Sequence, residues 1–147
     1  MRWSDLFIDD LLGAITSEIY ARKLFEAAAA DGTFLPLQIR LENLIEHNVA
    51  VPRLVQSKQI FISQVDKISK VTATSLGLSE AQAIEVVKTM GVLLIGATQS
   101  DQAPSLDKED LPQNVQDLIA SFSSKPLFIK NAVRIIEGIR METVSRV

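Results

Sequence analysis

The sequence predicts an all-α fold, an irregular bundle of five to six helices with at most one short strand near residues 92–95 (Val92-Leu93-Leu94-Ile95). Apolar residues recur at three- and four-residue spacing through most of the chain, which is the signature of helices with one buried face. Proline, glycine and capping signals punctuate those runs at helix-length intervals. Aromatic residues make up only 5 % of the chain, so the core must be built from Leu, Ile, Val and Ala.

The clearest punctuation lies in residues 69–96. Val65, Ile68, Val71 and Leu76 give one apolar face that runs to a turn at Gly77. Ser79 and Gln82 then form the S-x-x-Q pattern of a capping box, in which each side chain takes up an amide that the helix start leaves unpaired. Ala83, Ile84, Val87 and Met90 continue at helical spacing. Gly91 is expected to end that helix in the left-handed region, with Val92 packing back on the last turn. Residues 92–95 then read as a strand-like segment or an extra helical turn in the core. Gly91 and Gly96 have P-loop spacing, but Ala97 stands where the motif needs lysine, and the apolar run between them offers phosphate nothing.

The other elements follow in chain order. A first helix is expected from Ser4, as N-cap, to Ala30, with Ile8, Leu11, Leu12, Ile15, Ile19, Leu24 and Ala27 facing the core. Gly13 would mark a close approach by another helix. Pro36 opens a second helix that carries Leu37, Leu41, Leu44 and Ile45 to about His47. Val51, preceding a proline, should be extended. Pro52 opens the third helix, through Leu54, Phe61, Val65 and Ile68 to Gly77. Residues 98–114 are polar and acidic, hold two prolines, and read as a long surface loop within a single domain of residues 1–147. A short helix with Val115, Leu118, Ile119 and Phe122 precedes a last one, opened by Pro126, whose apolar face is Ile129, Ala132, Val133, Ile136 and Ile139.

Composition excludes several functions. There is no cysteine, so disulfides, thiolate zinc sites and cysteine nucleophiles are ruled out. The single histidine, His47, has no nucleophile motif to serve; at a predicted helix end it suits the dipole. Glu42 and Glu46, with Glu18 or Glu26, form the best carboxylate cluster, but a di-metal bundle site needs Glu-x-x-His on two helices. No metal, cofactor or catalytic residue is therefore expected. The start has no basic-then-apolar signal order, and no apolar run reaches the roughly 20 residues of a membrane span. A cytoplasmic protein without membrane partners is the expectation.

Two function classes lead, ahead of a third in which the protein is an enzyme with carboxylate chemistry or holds a small-ligand pocket within the bundle. The first is a non-enzymatic helical interaction module, a subunit or adaptor that binds a protein partner or a second copy of itself. The second is a nucleic-acid-associated protein that uses a helix-turn-helix-like pair at about residues 65–90 and basic helix faces. Its candidate contacts are Lys67, Lys70, Gln82, Lys88, Lys130 and Arg134. Glu80 and Glu85 on the would-be recognition helix oppose a polyanion, and the net charge of −3 gives no global attraction to one.

Overall fold

The computed structural model describes residues 7–8, 11, 13–30, 51–101 and 110–142. Among them the regular elements are helices: α1 (Ser17–Ala30), α2 (Val51–Leu76), α3 (Glu80–Asp101), α4 (Gln113–Ser121) and α5 (Ser124–Glu142). Helix α2 packs on α3, α3 on α5, and α5 on α1. The second helix expected at residues 36–47, with His47, Glu42 and Glu46, lies outside the described residues, as does the Ser4 cap.

The core has four sides. Tyr20, Ala21, Leu24, Ala27 and Ala28 come from α1, and Ile68 and Leu76 from α2. Val86, Met90 and Leu94 come from α3, and Phe128, Ile129, Ala132, Ile136 and Ile139 from α5. Phe7 and Leu11, ahead of α1, and Leu78, between α2 and α3, complete it. Phe7 meets Tyr20 edge to face, with ring centroids 5.2 Å apart, the geometry that the aromatic quadrupole favours.

The expected first helix is broken. Gly13 has φ +80°, a left-handed conformation that glycine adopts without steric cost, and a side chain there would meet nothing within 4 Å among the described residues. Helical hydrogen bonding restarts at Thr16, whose carbonyl accepts from Tyr20 N (3.0 Å) and whose hydroxyl accepts from Ile19 N (3.2 Å). Thr16 is thus an N-cap. The break frees Ile15 N to donate to Ser75 O of α2 at 2.9 Å. It also rotates the face of α1, so that Tyr20 and Ala21 are buried while Ile19 is 42 % exposed.

At the other corner the local chemistry behaves as expected. Gly77, at φ +64°, ends α2, and Leu78 N reaches back to Ala73 O at 3.0 Å, the long bond of a Schellman ending. Ser79 N donates to Gln82 Oε1 (3.0 Å) and Gln82 N donates to Ser79 Oγ (3.2 Å), which completes the capping box. Arg140 Nη1 donates to Leu76 O at 2.7 Å, placing a cation at the carbonyl end of α2, where the helix dipole favours it.

Gly91 does not end its helix. The chain continues as α3 to Asp101, so the strand-like reading of residues 92–95 is overturned. The buried stripe Ala83, Val86, Met90 and Leu94 crosses Gly91 without changing phase. Burying Met90 and Leu94 outweighs the roughly 1 kcal/mol that a helical glycine costs. The expected surface loop is accordingly shorter, since residues 98–101 belong to α3 and residues 113–114 to α4. Val51 is the first residue of α2 rather than extended, and α5 begins at Ser124, two residues before Pro126; both prolines sit in first turns, where their missing N–H is harmless. Leu54 and Phe61 lie on α2, but their side chains are outside the described residues.

Helix α2 departs from an aliphatic face. Its buried residues include Ser69, Thr72 and Ser75, at three-residue spacing. Ser69 Oγ donates to Val65 O at 2.7 Å, and the Thr72 hydroxyl lies 2.7 Å from the Tyr20 hydroxyl, both groups being fully buried. Burial pushes the Tyr20 phenol far above its ordinary range, opposed only in part by the bond to Thr72.

Two predictions follow from that pair. Tyr20→Phe leaves the Thr72 hydroxyl without its partner and should cost about 1–2 kcal/mol, whereas Tyr20→Phe with Thr72→Val should recover most of it; urea unfolding of the three variants measures both. Tyr20 is the only tyrosine, so phenolate absorbance reads it alone. The native phenol holds its proton more tightly than the unfolded one, so its contribution to stability is complete below the ordinary pKa of about 10 and is lost as pH rises above it. Phenolate should therefore appear together with alkaline unfolding, not ahead of it.

Candidate functional site

Two surface features stand out, one basic and one apolar. The first is a groove of about 540 Å³ between α1 and α5. Pro126, Ile129 and Val133 line it from successive turns of α5, Glu18 and Arg22 line it from α1, and Lys125, Lys130 and Arg134 complete the rim. The antiparallel packing of α1 on α5 makes it. At one end the Ser17 hydroxyl donates to Glu137 Oε1; toward the other, Lys125 Nζ lies 3.1 Å from Glu26 Oε1. Arg22 pairs with Glu18 at 3.3 Å across one helical turn. The two ion pairs, Lys125–Glu26 and Arg22–Glu18, are exposed, worth a few tenths of a kcal/mol to about 1 kcal/mol each, and readily rearranged.

The second feature is apolar. Helix α4 buries none of its residues. Leu118, Ile119 and Phe122 share one face of it and are 58 %, 42 % and 60 % exposed. Phe122 also borders a cleft of about 330 Å³ with Val92, Leu93 and Gly96 of α3 and Leu127 and Phe128 of α5, and Val92 on its lip is 70 % exposed. A nine-residue helix is marginal by itself in water, and this one carries an apolar face left in solvent among the described residues.

The residues expected to contact nucleic acid do not form one constellation. Lys130 and Arg134 come together on the rim of the α1–α5 groove. Lys67, Lys70 and Lys88 are exposed on α2 and α3. Lys70 bonds Asp66 at 3.0 Å, and that hydrogen bond, with the carboxylate charge, holds its ammonium above the ordinary range. Gln82 is half-buried and committed to structure, since beyond the capping box its Nε2 donates to Ile139 O of α5 at 3.2 Å.

Sequence reading missed Arg22, Lys125 and the apolar floor of the groove. The signal lay in the pairs Lys125-Pro126, Ile129-Lys130 and Val133-Arg134, each an apolar residue beside a basic one at helical intervals. That spacing runs a basic edge along an apolar stripe, but it does not reveal that α1 supplies the opposite wall. Among the described residues no group of three potential metal ligands comes together, and no helix is long and apolar enough to cross a membrane.

The model of the family described as "Tetracyclin repressor-like, C-terminal domain" matches residues 3–116. No curated protein and no solved structure matches the chain.

Gln82→Ala removes half of the capping box and the tie to Ile139, and should lower stability by about 1 kcal/mol. Thermal unfolding beside Lys88→Ala, which should change stability by less than about 0.5 kcal/mol as an exposed surface substitution, checks the contrast.

Proposed function

Because the chain belongs to the tetracyclin repressor-like C-terminal domain family, we propose that it is the ligand-binding and self-associating part of a transcriptional regulator. The observation that carries the reading is the match over residues 3–116, which spans α1, α2 and α3 and enters α4. Domains of this family typically bind ligand and dimerise, and are generally not enzymes. In this reading the interaction module expected from the sequence is a self-associating regulator domain.

Regulators of the family bind DNA, which brings the nucleic-acid alternative in at one remove. The whole regulator contacts DNA, and this domain serves ligand and partner. A helix-turn-helix role for the α2–α3 corner gains nothing from the geometry, because Gln82 ties α3 to α5 there.

Self-association is assigned to the apolar surface of α4 and the adjoining α3–α5 cleft. A two-fold dimer uses the same patch on both copies, and Leu118, Ile119, Phe122, Val92 and Leu127 supply the apolar centre that such an interface needs. Dimers formed this way place two copies of whatever else the regulator carries at a fixed spacing, as recognition of paired DNA half-sites requires.

Sedimentation velocity over a concentration series tests the reading. A dimer is expected, and Leu118→Glu with Phe122→Glu should weaken it by at least about tenfold, since charge is placed at the centre of a desolvated patch. A wild-type chain that stays monomeric at high micromolar concentration sinks the self-association reading.

A further inference from the structure

The α1–α5 groove has a composition that selects for one kind of occupant. Its floor, Pro126, Ile129 and Val133, is apolar and extends about 10 Å along α5 at 1.5 Å per residue. The aliphatic stems of the flanking lysines and arginines widen that apolar track. Four cations line the groove, Arg22, Lys125, Lys130 and Arg134, against one lining carboxylate, Glu18. In a chain of net charge −3 this is a local reversal of sign.

The cations divide into two groups. Arg22 and Lys125 already face carboxylates, Glu18 and Glu26. Lys130 and Arg134 have no carboxylate partner among the described residues; Arg134 donates only to Asn131 Oδ1, at 3.4 Å. One turn apart on α5, these two lie beside the apolar floor and point to a mono- or dianionic head.

We propose that the groove binds an anionic amphiphile, with an aliphatic body on Pro126, Ile129 and Val133 and a carboxylate or phosphate head between Lys130 and Arg134. The inference rests on the ligand-binding reading above and names the chemical class of the ligand. A neutral apolar molecule would leave both cations without a counterpart, and a cationic one would meet like charge. Nucleic acid fits less well, because phosphates alone gain nothing from an apolar floor. A volume of about 540 Å³ is in the range of small-molecule sites.

Isothermal titration of the full chain with decanoate, decyl phosphate, decanol and decyltrimethylammonium tests the proposal. Decanoate or decyl phosphate should bind, more weakly as salt rises from about 50 to 500 mM, because charge pairs at an open site are screened. The tighter of the two identifies the head group. Lys130→Glu with Arg134→Glu should weaken that binding by about tenfold or more, the expected loss for charge-assisted contacts, with unchanged circular dichroism. Equal binding of decanol or decyltrimethylammonium overturns the proposal, as does affinity unaffected by the double substitution. Binding of random duplex DNA, lost in the same variant while neither anion binds, overturns it in favour of nucleic acid. If neither anion binds but the chain still dimerises, the groove assignment fails and the regulator-domain reading stands.

Discussion

The last turns of α5 are where the bundle is tied together. Glu137 accepts from the Ser17 hydroxyl at the start of α1 and from Arg140 Nε. Arg140 carries the chain of contacts on to Leu76 O at the end of α2, and Ile139 O accepts from Gln82 at the start of α3. Helix ends leave carbonyls and amides unpaired, and a helix end brought against other helices without partners for them is costly. Here three helix termini meet one helix end; the side chains of Arg140 and Gln82 take up backbone groups there, and Glu137 holds Arg140 and Ser17 in place. The antiparallel run of α1 along α5 follows, and with it the groove that brings Arg22 opposite Lys130 and Arg134.

The interior of α2 obeys a second constraint. Ser69, Thr72 and Ser75 put small polar side chains where a bundle usually places leucine. Each buried hydroxyl needs a partner; Ser69 finds the Val65 carbonyl and Thr72 finds Tyr20. The Tyr20–Thr72 bond, directional where apolar contacts are not, ties α1 to α2.

What was legible in the sequence was local. The Gly77 turn and the Ser79–Gln82 box need only residues within five positions of one another, and both are present. The α5 face is a simple repeat and was largely legible too, but Phe128 joins the core unforeseen and Val133, read as part of the core face, lines the groove instead. The miss at Gly91 has a different source: glycine reads locally as a stop, and the stripe that carries the helix onward is felt only against α5. Gly13 is the opposite case, a glycine read as packing that is in fact a break, made useful by Ser75 accepting from Ile15 sixty residues away. The groove needs Glu26 and Lys125, 99 positions apart, to be neighbours, and no periodicity within either helix says so. The apolar face of α4 was visible as a pattern, but a pattern does not reveal whether its own chain covers it.

The junction lies at one end of the bundle, but the core runs on to the other. At the far end α1 and α5 are joined by the exposed pair of Glu26 and Lys125 and by Phe25 against Phe128, with ring centroids 5.5 Å apart, and Leu24, Leu94 and Ile129 are buried in the same core. Helix α4, in contrast, buries none of its residues. Local opening starts where few buried contacts must be broken, so it starts at α4 while the four helices that share the core stay together. The apolar cleft lies beside α4. Whatever settles there holds that helix in place, and amide exchange in α4 slows before the already protected core registers any change.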